Sequence, residues 1–166
     1  AGLVPTGFYR HFSDLDALGE ELAVEACRQL RVVMRQVRKK AQGGAAITDS
    51  VTALVEFIRN NPLYFEFLAR ERAGGPPKVR ETIHTQMRQF VAELAEDLQQ
   101  WPTYADFPRD DLAMLADLVV NTVIHLALDL LALPYVEDDA EQVLRTTKQL
   151  RLIMLGAHAW RPEKGA

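Results

Sequence analysis

Apolar residues recur along most of this chain at intervals of three and four, the spacing of one helix face. Val, Ile, Thr and aromatic residues nowhere alternate over enough positions to predict a strand. The pattern predicts an all-α protein of about seven helices. A short helix covers Pro5 to His11, and Ser13 with Asp16 forms a capping-box arrangement. A long helix then runs to Lys40 with the stripe Leu15, Leu18, Leu22, Ala26, Leu30, Val33 and Val37. Arg38, Lys39 and Lys40 suit its C-terminal dipole, and Gly43-Gly44 ends it. Thr48 or Asp49 caps the next helix, whose stripe is Val51, Leu54, Val55 and Ile58. Asn60-Asn61-Pro62 breaks it, and a helix over 63–72 follows. Beyond Gly74-Gly75-Pro76-Pro77 lies a helix over 78–100, with stripe Val79, Ile83, Met87, Phe90, Val91, Leu94 and Leu98. Pro108 with Asp110 and Asp111 opens a helix to Leu133, and a last helix runs from Asp138 or Asp139 to Trp160.

The last two helices are apolar in nearly every direction around their axes. Such a helix needs two burial partners. One is the chain's own core. The other is a second subunit, which makes a homodimer through the last two helices the expectation, or else more of the same monomer around a centrally buried helix. Gly156, Ala157 and Ala159 would allow close helix approach there. Leu112 to Leu133 is long enough to span a bilayer, but Asp117, Asn121, His125 and Asp129 would be costly in lipid. The run therefore reads as a buried helix with no membrane role.

Composition narrows the classes further. The 166 residues are enough for one domain with a real core. Lys and Arg total 19 against 23 Asp and Glu, a net charge of −4, which excludes a global cationic grip on nucleic acid. Residues 1–42 carry seven Lys/Arg and five acids, so what positive charge there is gathers near the start. Cys27 is the one cysteine, so no intrachain disulfide forms and a reducing, cytoplasmic compartment fits. There is no Gly-rich phosphate loop, HExxH or Gly-x-Ser-x-Gly elbow, and Cys27 sits mid-helix among apolar neighbours. No enzyme is indicated.

The most specific stretch is Ala1-Gly2-Leu3-Val4-Pro5-Thr6-Gly7-Phe8-Tyr9-Arg10-His11-Phe12, followed by Ser13-Asp14-Leu15-Asp16-Ala17-Leu18. Phe8 and Phe12 lie four apart and face inward together. Tyr9, Arg10 and His11 offer phosphate-capable donors, and Arg also reads guanine bidentately. A short helix so furnished could lie in a major groove. The stretch resembles the recognition helix of the TetR family of bacterial transcriptional repressors, and within it the branch that regulates unsaturated fatty-acid synthesis. The resemblance implies that Pro5, Thr6 and Gly7 begin the recognition helix. It implies phosphate contacts for Tyr9 and His11, and a phosphate or base contact for Arg10. Leu15 stands where many relatives carry a lysine. The family places two helices before this motif, so the chain is expected to hold only part of the DNA-binding end, over 1–42. Residues 43–166 are then the ligand-binding and dimerisation domain.

The same resemblance implies operator DNA as a partner and a long-chain fatty acyl-CoA or fatty acid as effector, with no resident cofactor or metal. Tyr64, Phe65, Phe67, Met87, Phe90, Leu94, Leu115 and Val119 could line an apolar tunnel, although aromatics at helical spacing usually fill a core. Arg70, Arg72, Lys78, Arg80 and Arg88 surround the Gly74–Pro77 break and could meet the anionic end of coenzyme A. Asp117, Asn121, His125 and Asp129 form one polar ridge at four-residue spacing. It reads as an internal hydrogen-bonded seam, as a polar cavity wall offering Asn121 and His125, or as a metal site joined by His84. A helical small-molecule or metal-binding protein with no DNA role is the alternative reading.

Overall fold

The computed structural model describes residues 14–40, 46–132 and 139–160. They form six helices: α1 (Leu15–Lys40), α2 (Ala46–Asn60), α3 (Pro62–Gly74), α4 (Pro77–Gln99), α5 (Arg109–Ala132) and α6 (Asp139–Ala159). The all-α expectation holds. The expected helix over Pro5 to His11, with the proposed DNA contacts Pro5, Thr6, Gly7, Tyr9, Arg10 and His11, lies outside the described residues.

The cap of α1 is Asp14, one residue later than the expected Ser13. The Asp14 carboxylate accepts the Ala17 backbone N–H at 2.8 Å and satisfies one of the orphan donors of the first turn. Thr48 and Asp49 lie inside α2 rather than capping it, because the helix already begins at Ala46.

The buried face of α1 follows the expected stripe at Ala26 and Leu30 but not at its first leucines. Leu15 is 74% exposed and Leu22 36%, while Ala23, Ala26 and Cys27 are buried. Small residues face inward because α1 lies close against α4. A Cβ built on Gly19 would stand 2.9 Å from Cγ2 of the buried, β-branched Val79. Val79 has little rotamer freedom to retreat. Gly19→Val is therefore expected to destabilise the fold by about 2 kcal/mol through overpacking, despite a better helix propensity. Urea denaturation of the two proteins checks it.

Helix α2 buries the expected Val51, Leu54, Val55 and Ile58 against Phe65, Leu126, Leu130 and Leu150. A second cluster joins Leu98, Tyr104, Leu112, Leu115 and Ala116. Tyr104 belongs to the turns after α4. Its ring meets Phe107 edge-on at 5.2 Å and its hydroxyl donates to the Met154 carbonyl at 3.4 Å. A third cluster, Ala23, Val79 and Ile83, seats α1 on α4.

Helices α5 and α6 run antiparallel. At one end the Trp160 indole donates to Asp111 at 3.4 Å. At the other, Arg59 of α2 donates to both Asp139 oxygens, the shorter bond at 2.6 Å, and to the Leu130 carbonyl at 2.9 Å. One guanidinium thus fastens α2 to the end of α5 and the start of α6. Among the described residues α5 is the one helix long and apolar enough to cross a membrane. In this fold it packs on α2, α3, α4 and α6.

Candidate ligand cavity

Five helices leave an unfilled space of about 480 Å³ between them, and Leu150 of α6 closes part of it. Helix α1 contributes Cys27, Leu30 and Met34, facing Ile83, Met87, Phe90 and Leu94 of α4. Val123 and Ala127 of α5 form another wall, with Leu54 of α2 and Phe65 and Leu68 of α3. The space exists because α1 presents small residues toward α4 near its start and larger ones further along. Its length follows α4: Ile83 and Leu94 are eleven residues apart, about 16 Å along a helix axis.

Polar groups are few. The Ser50 hydroxyl donates to the Ala46 carbonyl at 2.8 Å and is already satisfied. Among the described residues Arg72, in the last turn of α3, is the one charged side chain in the lining, and no carboxylate among them pairs with it. The turn beside it needs Gly75: a Cβ there would collide with Glu71, whose carbonyl accepts the Gly75 N–H at 2.9 Å. An apolar lumen with one cation near its edge suits an elongated apolar ligand carrying a negative end.

Residues 43–156 match the family described as tetracyclin repressor-like, C-terminal domain. The chain belongs to that family. This domain is a regulatory, ligand-binding module and not an enzyme.

Within this TetR-type body, Phe65, Met87, Phe90, Leu94 and Val119 of the expected tunnel do line the cavity. The other three tunnel residues do not, and neither do Asn121 and His125 of the expected polar wall. Tyr64 packs at the edge of the α2 cluster, and Phe67 packs against Ala23, Val79 and Ile83. Leu115 is buried in the cluster with Leu98 and Tyr104. Asn121 and His125 are exposed, because the polar ridge turns outward from α5 while its apolar neighbours take the inner face. The ridge is neither an internal seam nor a cavity wall. Asn121 donates to Asp117 at 2.9 Å, and Asp129 lies 3.9 Å from Arg145 of α6. No three potential metal ligands converge among the described residues, and His84 is exposed.

The expected basic mouth reduces to Arg72. Arg70 donates to Glu71 at 3.0 Å, and Arg88 to Thr85 at 2.8 Å and Glu81 at 3.4 Å. Lys78 and Arg80 are exposed and outside the lining.

Sequence reasoning did not place Cys27, Leu30, Met34 or Ala127 at a cavity, although Leu30 stood in the expected stripe of α1. Small and medium residues at helical spacing look alike whether they fill a core or border a void.

Burial pushes the Cys27 thiol up to about 11 from an ordinary value of 9.0, with Arg31 partly opposing the shift. The fold therefore favours the neutral thiol. Its contribution to stability is present below pH 9.0 and lost as pH rises through about 11. Near neutral pH the thiolate fraction falls by about a hundredfold, so iodoacetamide is expected to label Cys27 about a hundred times more slowly in the native protein than in urea. Timed alkylation read by mass spectrometry checks it.

Proposed function

We propose that this chain is part of a ligand-responsive transcriptional repressor that binds operator DNA as a homodimer and senses long-chain fatty acyl-CoA or fatty acid. On this reading it controls fatty-acid synthesis or desaturation genes in the bacterial cytoplasm. Residues 1–42 form part of the DNA-binding end, and 43–166 the ligand-binding and dimerisation domain. The observation that carries the proposal is the cavity, long, apolar and bordered by one cation, Arg72, with which no carboxylate pairs among the described residues. Each methylene moved from water into it contributes about 0.8 kcal/mol, so a dozen buried methylenes bind tightly without precise polar contacts.

The long helix α1 supplies the link. It lines the cavity with Cys27, Leu30 and Met34, and its start follows the Tyr9-Arg10-His11 motif. A ligand shifts operator affinity only if it favours one spacing of the two recognition helices over the other.

The dimer is proposed on the outer faces of α5 and α6, where Met114, Leu118, Leu144, Leu152 and Leu155 stand exposed beside the polar ridge. Gly156 has nothing within 4 Å of its built Cβ, which leaves room for a second helix. Leu155, 66% exposed, touches little of its own chain. Leu155→Glu is expected to give a monomer of unchanged helicity, read by analytical ultracentrifugation and circular dichroism.

The test of function is operator binding by the full-length protein. Affinity is expected to fall with salt through phosphate contacts and to change at least about tenfold when a long-chain acyl-CoA is added. An operator affinity indifferent to every acyl-CoA tried would remove the acyl-sensing part.

A further inference from the structure

We infer that Leu94, Val119 and Leu150 form a partition that sets the chain length the cavity accepts, with the ligand's anionic end held at Arg72. The inference rests on the fatty acyl reading of the cavity.

Beyond those residues lies a second cavity of about 110 Å³. It shares Ser50, Leu94, Val119 and Leu150 with the main one, so the two spaces adjoin at these residues, and Leu94, Val119 and Leu150 are the bulky side chains among them. The walls of the smaller part are largely apolar, with Ile47, Leu98 and Met154 among them, and Asp97 is the charged group among its described lining residues. Charge therefore gives the whole space a direction. Arg72 borders one end, beside the turn into α4, and Asp97 borders the other, near the end of α4. An anionic group gains a partner at Arg72. The apolar tail accordingly points along α4 toward Leu94.

Leu94 and Val119 are half-buried, and Leu150 is 6% exposed. Truncating Leu94 or Val119 joins the two spaces at less expense to the core than truncating Leu150. The space gained corresponds to about four groups the size of a water or a methylene.

The test measures affinities of the wild type, Leu94→Ala, Val119→Ala and Arg72→Gln by calorimetry. The probes are two graded series of saturated chains, free fatty acids and their coenzyme A thioesters. The wild type is expected to show an optimum length. Leu94→Ala and Val119→Ala move it longer by about two to four carbons, and bind those longer chains about tenfold tighter than the wild type. Arg72→Gln weakens every member about tenfold and leaves the optimum in place. Binding of both series identifies the anion at Arg72 as a carboxylate in one and a coenzyme A phosphate in the other. Binding of the thioesters alone assigns it to the phosphate. An optimum unchanged in both truncated variants overturns the partition, and an Arg72→Gln protein of undiminished affinity overturns the anchor. A wild type that binds neither series overturns the acyl reading itself, a result distinct from the other two.

Discussion

Ala127→Trp is expected to weaken binding of a long-chain acyl ligand by at least about a hundredfold while leaving the empty protein folded. Ala127 lies on α5, with its methyl group toward the cavity. An indole placed there takes up a substantial share of a space of about 480 Å³. Displacing four methylenes of ligand forfeits about 3 kcal/mol, which is more than a hundredfold in affinity. The empty protein loses nothing comparable, since the indole fills a void and buries its own surface. Ala69→Phe approaches the same space from α3 and is expected to act alike. Calorimetric titration with a long-chain fatty acid, beside thermal unfolding of the same samples, reads both parts. Unchanged affinity in both variants would mean that the ligand sits elsewhere.

Leu130→Ala carries the largest expected loss of stability, about 3 kcal/mol. Leu130 is 0% exposed and packs among Ile58, Leu126 and Leu150, away from the cavity lining. Removing its isobutyl group forfeits the transfer energy and leaves a hole that three helices cannot easily close. The site is also fixed from outside, because Arg59 holds the Leu130 carbonyl and Asp139 together. Leu128→Ala is the control. That leucine is 42% exposed and borders the existing cavity, so less packing is lost and about 1 kcal/mol or less is expected. Equilibrium denaturation of both variants separates a packed core position from a cavity wall. Equal losses would contradict the division drawn between them.

These two leucines illustrate what was legible in the sequence. Helix α2 was readable because its large apolar residues, Val51 to Ile58, fall on one face and nothing competes with them. The first half of α1 misled because size and burial part company there: Gly19 and Ala23 face α4, and Leu15 and Leu22 face out. A hydrophobic pattern counts large side chains, whereas close helix approach selects small ones. The polar ridge misled for a related reason. Helix α5 is apolar on two sides, so periodicity could not say which way Asp117, Asn121, His125 and Asp129 turn. The packing of α5 on α4 and α6 decided it. The cavity was half legible. Phe65 and Phe90 carried enough bulk to be noticed, but a void is bounded by residues from several helices at once and leaves no spacing of its own. Tyr104 was missed because it sits among turns, where no periodicity operates, though it anchors α6 through the Met154 carbonyl.

The central claim is that this helical body takes a long apolar ligand with an anionic end. Native mass spectrometry of the purified protein tests it most directly, followed by denaturation of the same sample and identification of whatever is released. The account predicts a dimer that carries a fatty acid or acyl-CoA, or takes one up when it is added. A dimer that stays empty after acyl-CoA is supplied would contradict it, leaving the family and the fold in place and the lipid ligand without support.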